Sequence, residues 1–214
     1  MKSHIIIPAR LHSTRLPEKL LLSATGKPLI QHTYEAAQRA QRPTGIIVAT
    51  DHERIVTAVQ AFDGNVVMTD PAAPSGTDRV AEVAKQLSDV DIIVNVQGDE
   101  PEILGSSIDL VIELLQNDPT AVMATLATPI RNQSQLEDPA CVKVVFNQSQ
   151  QAMYFSRSVI PYPQTWDDSL LGKESDLFFQ HVGLYAYRRD FLLKLAKLPQ
   201  SPMETTESLE QLRV

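Results

Sequence analysis

A chain of 214 residues with 43% hydrophobic content is long enough for one globular domain with a substantial core, and its net charge of -7 argues against non-specific nucleic-acid binding, which needs a broad basic surface. The single cysteine, Cys141, excludes an intrachain disulfide, indicates a reducing compartment and is predicted to be a core residue. Because no apolar stretch approaches the roughly 20 residues that span a bilayer, and the N-terminus resembles no signal peptide, we expect a soluble cytoplasmic protein.

The first element predicted is a short buried strand that leads into a basic loop. Ile5 to Ile7 is apolar and β-branched, as a central strand of a parallel sheet must be, and Pro8 is expected to end it. In open α/β sheets, ligands bind outside the carboxyl ends of the strands. The cations and hydroxyl expected to form a phosphate-binding site there are Arg10, Ser13, Arg15 and Lys19. The alternative is a solvated surface loop, the usual fate of a charge cluster.

Short apolar runs alternate with helical patterns through the first half of the chain. Strands are predicted at 45–49, 65–68 and 91–96, and helices at 28–41, 52–62 and 77–87. Thr50 and Asp51 are expected to cap the second of these helices. The alternation predicts an α/β fold, Rossmann-like, with a mainly parallel central sheet and helices on both faces.

The second half has a different pattern. Strand-like runs at 122–127, 141–146 and 152–155 are separated by polar loops, which predicts a smaller mixed β region with some antiparallel pairing. Residues 161–176 are rich in proline and charge, and are expected to form either a mobile loop or a dimer contact. A helix-like segment is predicted at 204–214.

The motifs of several enzyme classes are missing. No G-x-G-x-x-G follows a strand, and Thr25-Gly26-Lys27-Pro28 lacks both the upstream glycine and the Ser/Thr of a P-loop. There is also no H-E-x-x-H, no paired-cysteine site and no G-x-S-x-G. Dinucleotide, zinc and covalent serine chemistry are therefore disfavoured.

A second polar cluster follows the strand at 91–96. Asp99, in the run from Gln97 to Pro101, would suit Mg2+, which takes one or two carboxylates and completes its shell with water and phosphate oxygens. The alternative is a plain turn at Gly98-Asp99 followed by a helix that starts at Pro101. Between the two clusters, Ser75 and Thr77 could cap a helix or contact the polar edge of a nucleobase.

Taken together, the motifs of this sequence resemble those of a known family, the 3-deoxy-manno-octulosonate (Kdo) cytidylyltransferases, or CMP-Kdo synthetases. The resemblance extends over the whole chain and rests on motifs in the same order: Pro8-Ala9-Arg10, 13–17 with Lys19, Ala49-Thr50-Asp51, 75–79, 95–101, 154–157, 181–185 and 209–213. It implies a nucleotidyltransferase that couples CTP to Kdo, with release of pyrophosphate, for lipopolysaccharide synthesis in the cytoplasm of Gram-negative bacteria. It also implies a requirement for Mg2+, and a homodimer in which the region from Tyr162 to Phe179 is the expected contact.

The resemblance assigns roles to individual residues. The nucleotide site would contain Ala9, Arg10, Ser13, Arg15, Lys19, Ser75, Gly76 and Arg79. Arg10, Arg15, Lys19 and Asp99 would be catalytic, and Asp99 would bind the metal. The sugar site would contain Gln97, Arg157, His181, Tyr185, Glu210 and Gln211. The resemblance also implies a single domain over 1–214, divided into a nucleotide-binding half at 1–120 and a half for sugar binding and dimerisation at 121–214.

The sequence departs from the family pattern in two places. The family usually has Leu-Pro-Gly-Lys-Pro where this chain has Leu16-Pro17-Glu18-Lys19-Leu20. Glu18 would weaken nucleotide binding if it pointed inward and would change little if it pointed to solvent. The family's Val-Asp-x-Pro-Glu-Asp type motif, which supplies a second metal carboxylate, is missing, so the chain is expected to be C-terminally truncated.

Two other functions stay open. One is a cytidylyltransferase for another acidic sugar, such as sialic acid or an amino-substituted Kdo. The other is a non-catalytic relative that binds CTP.

Overall fold

The computed structural model describes residues 1–12, 16–73, 75–173 and 175–214. The predicted phosphate-site residues Ser13 and Arg15 lie outside this described part. The chain divides into two compact units. Unit 1 comprises residues 1–124 and 183–197, and unit 2 comprises residues 125–182 and 198–214.

The sheet of unit 1 has a parallel core. Its strands are β1 (Ser3–Ala9), β2 (Ile46–Thr50), β3 (Val66–Met68) and β4 (Ile92–Asn95), in the spatial order β3-β2-β1-β4. The last strand, β8 (Phe179–Arg188), pairs antiparallel with β4 through its residues in unit 1. β1 lies in the centre because its isoleucines are apolar on both faces, and Ile5, Ile6 and Ile7 are all buried.

Pro8 does not end β1, contrary to the prediction. It lies within the strand, in register with Ala49 of β2, and Ala9 pairs with Thr50. The carbonyl of Ile6 accepts a hydrogen bond from the Val96 N–H beyond the end of β4. The backbone N–H and C=O groups of the even-numbered residues of β1 therefore point towards β4. The β1–β4 ladder ends at Ile6. The missing N–H of Pro8 therefore faces a position where no ladder bond is formed.

Helices cover the sheet of unit 1. They are α1 (Leu29–Ala37), α2 (Glu53–Gln60), α3 (Gly76–Ala84), α4 (Gly105–Asn117) and α6 (Arg189–Leu195). The three predicted helices exist, each shorter than the pattern indicated. The α2 cap is His52, whose side chain accepts from Arg54 N–H, because Thr50 still belongs to β2 and Asp51 binds elsewhere. Val80, Val83 and Ala84 of α3 pack on Ile6 and Ile93 in the core.

Unit 2 contains antiparallel pairs, as predicted. β6 (Lys143–Phe146) pairs with β7 (Ala152–Ser156) and with the first part of β8. β5 (Met123–Pro129) enters from unit 1 and pairs with β8, and α5 (Gln133–Glu137) follows it. Cys141 precedes β6 and is buried with Ile130, Leu136 and Phe178, so the predicted core role is confirmed.

The helix-like segment predicted at 204–214 is two elements. The helix α7 (Pro202–Glu207) ends at Ser208, which has a left-handed backbone with φ 52°, and a 3-10 turn covers Glu210–Arg213. A residue with positive φ cannot continue a right-handed helix, so Ser208 separates them. Among the described residues, none of the helices combines the length and the apolar character that crossing a bilayer requires.

Candidate active site

Two charged side chains meet at the carboxyl edge of the sheet in unit 1. Lys19 lies in a 3-10 turn (Lys19–Leu21) on the chain that leaves β1, and Asp99 lies in the turn that follows β4. The Lys19 Nζ is 2.6 Å from the Asp99 Oδ2. Arg10 directly follows β1 and is exposed. The structure therefore brings together the predicted phosphate-binding lysine and the predicted metal ligand.

Tertiary packing fixes the turn that carries Asp99. The Thr33 hydroxyl of α1 donates to the Gly98 carbonyl at 2.9 Å. A Cβ on Gly98 would lie 3.0 Å from the Pro8 carbonyl oxygen, so a larger residue would crowd β1 at this turn and glycine avoids that close contact. The neighbouring Gln97 is half-buried, with its Nε2 3.5 Å from the Asn95 Oδ1.

The carboxylates at this edge suit a divalent cation whose coordination shell is completed by its substrate. Desolvation and then the neighbouring Asp99 charge raise the pKa of Glu100. Asp99 and Glu100 are thus two adjacent carboxylates of which Asp99 is the one paired with a cation. The described residues contain no group of three or more His, Cys, Asp or Glu placed for a metal. Mg2+ needs only one or two carboxylates when phosphate oxygens and water supply the remaining ligands, and the chain fits that case.

The segment that begins α3 supplies the next predicted contacts. The Ser75 hydroxyl accepts from Asp78 N–H at 3.2 Å and donates to the Asp78 carboxylate at 2.6 Å, so the predicted capping role is confirmed. Gly76 lies beside β1, where an added Cβ would be 3.6 Å from the Pro8 ring. The α3 N-terminus is therefore capped by its own side chains and lies close to Pro8 of β1.

Arg79 is completely buried and connects α3 to residues that follow β2 and β3. Its Nη2 is 3.2 Å from the Asp51 Oδ2, and its Nη1 donates to the Thr69 hydroxyl. The other Asp51 oxygen accepts from Leu11 N–H at 3.1 Å. Arg79 Nε has no hydrogen-bond partner within the described residues. Desolvation lowers the pKa of Arg79, which Asp51 opposes and the positive charge of Arg10 reinforces.

Asp51 is predicted from the sequence to cap α2, and the family motif that contains it carries no assigned role. The structure shows instead that it joins α3 to the backbone immediately after Arg10. The available signal was its position directly after β2, at the edge where ligands bind in such sheets.

Glu18 forms an ion pair with α2. Its backbone is left-handed, with φ 53°. Its carboxylate accepts hydrogen bonds from both terminal nitrogens of Arg54, and the Nη2–Oε2 distance is 2.8 Å. The sequence left Glu18 either pointing inward or pointing to solvent, and it did not predict a partner 36 residues away.

Four of the predicted sugar-site residues belong to unit 2. His181 is buried, 2.9 Å from the Thr125 hydroxyl and in edge contact with Phe155. Burial lowers its pKa to about 4, so the imidazole is neutral at pH 7. The Arg157 guanidinium donates to the carbonyls of Pro139, Glu207 and Ser208.

The other two of these four residues are Glu210 and Gln211, whereas Gln97 and Tyr185 belong to unit 1. Glu210 and Gln211 form the start of the last 3-10 turn in unit 2, where Glu210 is exposed and Gln211 is buried. Tyr185 belongs to unit 1, opposite Asn95 of β4 and stacked on Tyr187 with ring centroids 5.9 Å apart.

Comparison with known proteins places the chain in a family. The family model described as cytidylyltransferase matches residues 4–214. The chain is 48% identical to a 3-deoxy-manno-octulosonate cytidylyltransferase of Rhodopirellula baltica, over all of this chain and 86% of that protein. It is 47% identical to an 8-amino-3,8-dideoxy-manno-octulosonate cytidylyltransferase of Shewanella woodyi, over all of this chain and 85% of that protein.

A solved structure agrees with the sequence relatives. CMP:2-keto-3-deoxy-manno-octonic acid synthetase in complex with CTP superposes with a TM-score of 0.90 at 45% identity, over all of this chain and 85% of that one. The predicted α/β nucleotidyltransferase fold, a mixed sheet with a parallel core, is confirmed.

Proposed function

This chain belongs to the cytidylyltransferase family, and we propose that it transfers CMP from CTP to Kdo and releases pyrophosphate. The observation that carries the proposal is the meeting of Lys19 and Asp99, 2.6 Å apart, beside the exposed Arg10 at the carboxyl edge of the parallel strands. The relatives named for this reaction support the choice of substrates.

The cations at this edge would bind the triphosphate. Arg10 offers a planar fork that matches phosphate oxygens, and Lys19 offers a point charge. Ser13 and Arg15, which lie outside the described residues, are proposed to join them. Ala9, Ser75, Gly76 and Arg79 are proposed to complete the nucleotide site. Because Arg79 is buried against Asp51, its contribution would come through the position of the Leu11 backbone, together with its unpartnered Nε.

The reaction needs no protein nucleophile. The anomeric hydroxyl of the sugar would attack the α-phosphorus in line with departure of pyrophosphate, and such transfers are accelerated mainly by positioning and by neutralising charge. Arg10, Arg15 and Lys19 would stabilise the negative charge that develops on the leaving group.

Asp99 is the residue proposed to hold Mg2+. When bound, the ion would neutralise phosphate oxygens that the cationic side chains do not reach. Asp99 would then exchange its Lys19 partner for the ion, and Lys19 would be free to contact the triphosphate.

Gln97, Arg157, His181, Tyr185, Glu210 and Gln211 are proposed for the sugar. The guanidinium of Arg157 has five N–H groups and donates three described hydrogen bonds, so it retains donors for a sugar carboxylate. His181, which is neutral, would act as a hydrogen-bond partner and not as a cation at pH 7.

The test is pyrophosphate release from CTP with a panel of acidic sugars and Mg2+. Release that requires both CTP and Kdo supports the proposal. Preference for 8-amino-Kdo would favour the second candidate, which the Shewanella woodyi relative supports. Calorimetric CTP binding with no release from any sugar would instead identify a non-catalytic relative.

We also propose a cytoplasmic homodimer. The exposed side chains of Tyr162 and Trp166 in unit 2 support a contact there, and the buried thiol of Cys141 supports a reducing compartment. Light scattering that gives the mass of one chain, 23.7 kDa, would contradict the dimer.

A further inference from the structure

The charge at position 18 conflicts with the proposed nucleotide site. Glu18 directly precedes Lys19, the cation that reaches Asp99, and a polyanion bound by Lys19 would be repelled by a free carboxylate on the adjacent residue. The left-handed backbone of Glu18 is one that glycine adopts without strain. A glycine would therefore satisfy the backbone here without adding a charge, yet the chain carries glutamate.

The structure provides a partner for this carboxylate. Arg54 is the second residue of α2, and both of its terminal nitrogens reach Glu18 in a two-point contact, with Nη2 2.8 Å from Oε2. Two-point contacts hold a carboxylate in a fixed orientation. The backbone of Arg54 is itself held, because its N–H donates to the His52 Nδ1 at 3.1 Å.

The Glu18 carboxylate is charged at neutral pH. The hydrogen bond from Arg54 is the main cause that lowers its pKa, burial opposes this, and the charges of Arg54, His12 and His52 add to the lowering. The described hydrogen bonds of the Arg54 side chain all go to Glu18. One cation thus faces one anion at the rim of the site, and their net charge is zero.

We propose that Arg54 is a positioning residue for nucleotide binding, which acts through Glu18 by neutralising that carboxylate and holding it in place. The inference rests on the proposed function, since it concerns the affinity of the same site for CTP. Arg54 itself is not required to touch the nucleotide. Its role is to let a glutamate occupy this loop without repelling the triphosphate.

A double-mutant cycle separates this role from direct phosphate binding. We expect R54A to weaken CTP binding about fivefold, the scale of one uncompensated charge near a surface. E18G should leave the affinity within about twofold of wild type. The double variant E18G/R54A should recover the wild-type affinity, because the anion that Arg54 neutralises is then absent.

The readouts are calorimetric Kd for CTP and, in turnover, KM against kcat. The neutralising role predicts a higher KM for CTP in R54A with kcat unchanged, and recovery in R54K, which keeps the positive charge. The matched control is R42A, because Arg42 and Glu113 form another exposed pair of unit 1, 2.9 Å apart, away from the strand edge that carries Lys19. We expect R42A to bind CTP like wild type.

Several outcomes would overturn the inference. Unchanged CTP affinity in R54A would show that Arg54 does not affect nucleotide binding. CTP binding that stays weak in E18G/R54A would show that Arg54 contacts the phosphates directly. Wild-type chain that binds no CTP would overturn both this inference and the proposed function. CTP binding without pyrophosphate release would overturn the proposed reaction alone, because the cycle is measured on binding.

Discussion

Lys19 and Asp99 form a direct ion pair across the carboxyl edge of the sheet, with the Lys19 Nζ 2.6 Å from the Asp99 Oδ2. The two residues come from different loops, one after β1 and one after β4. The two side chains neutralise each other in this pair. If Asp99 holds the metal and Lys19 contacts the triphosphate, as proposed, ligand binding would have to separate them. The metal would then compete with Lys19 for Asp99, and the triphosphate would compete with Asp99 for Lys19.

The first prediction concerns this competition. In K19M, Asp99 loses its cationic partner, so Mn2+ should bind about two- to fivefold more tightly without nucleotide, the scale of an exposed ion pair. Electron paramagnetic resonance of free Mn2+ measures the affinity. D99N is the control and should lose most of the binding. Equal Mn2+ affinity in K19M and wild type would show that the pair does not hold back the metal.

The second prediction concerns the buried pair beneath the basic loop. R79M removes the cation that faces Asp51, and the free energy of unfolding should fall by about 3 kcal/mol, because a partly buried carboxylate is left without its partner. Urea unfolding measures this change. E113Q, which breaks an exposed pair, should cost less than about 1 kcal/mol. A loss in R79M as small as that in E113Q would contradict the structural role.

The third prediction is a pH dependence of stability. The unfolded chain protonates His181 near pH 6.5, whereas the folded chain keeps it neutral down to about pH 4. Between these values the unfolded state binds more protons, so the free energy of unfolding decreases as the pH falls. The contribution of His181 across this window should reach about 3 kcal/mol.

H181Q removes this titration and keeps a polar group beside Thr125. Its unfolding free energy should change less with pH between 6.5 and 4 than that of wild type. Identical slopes for wild type and H181Q would place the pH dependence elsewhere.

The fourth prediction concerns the end of the chain. Glu204 and Arg213 form a buried two-point ion pair, with side chains 3% and 7% exposed. R213M should lower the free energy of unfolding by about 3 kcal/mol, because Glu204 then remains buried without its cationic partner. Urea unfolding of R213M and of E204M/R213M tests it, since the double variant removes both charges and should recover part of the loss.

The same pair has its own pH signature. The hydrogen bond from Arg213 is the main cause that lowers the pKa of Glu204 in the folded chain. The stabilisation is therefore present above the unfolded value of 4.5 and is lost as the pH falls through the lowered folded value. A difference between wild type and R213M that stayed constant below pH 4.5 would contradict this assignment.

The sequence by itself was sufficient for the fold class and for the edge of the sheet where the charges gather. Buried β-branched runs such as Ile5 to Ile7 indicate central strands because hydrophobic patterning is local, although β1 extends through Pro8 to Ala9, beyond its predicted end. The order of motifs was sufficient to identify the family. The assigned roles of the site residues stay predictions.

Only the tertiary structure decided which charges meet. Glu18 and Arg54 are 36 residues apart, Asp51 and Arg79 are 28 apart, and Lys19 and Asp99 are 80 apart. It also decided that Pro8 remains within β1 and that Ser208 breaks the last helical segment. These outcomes depend on which neighbour faces a given backbone or carboxylate after the chain has closed, and periodicity along the sequence carries no information about that neighbour.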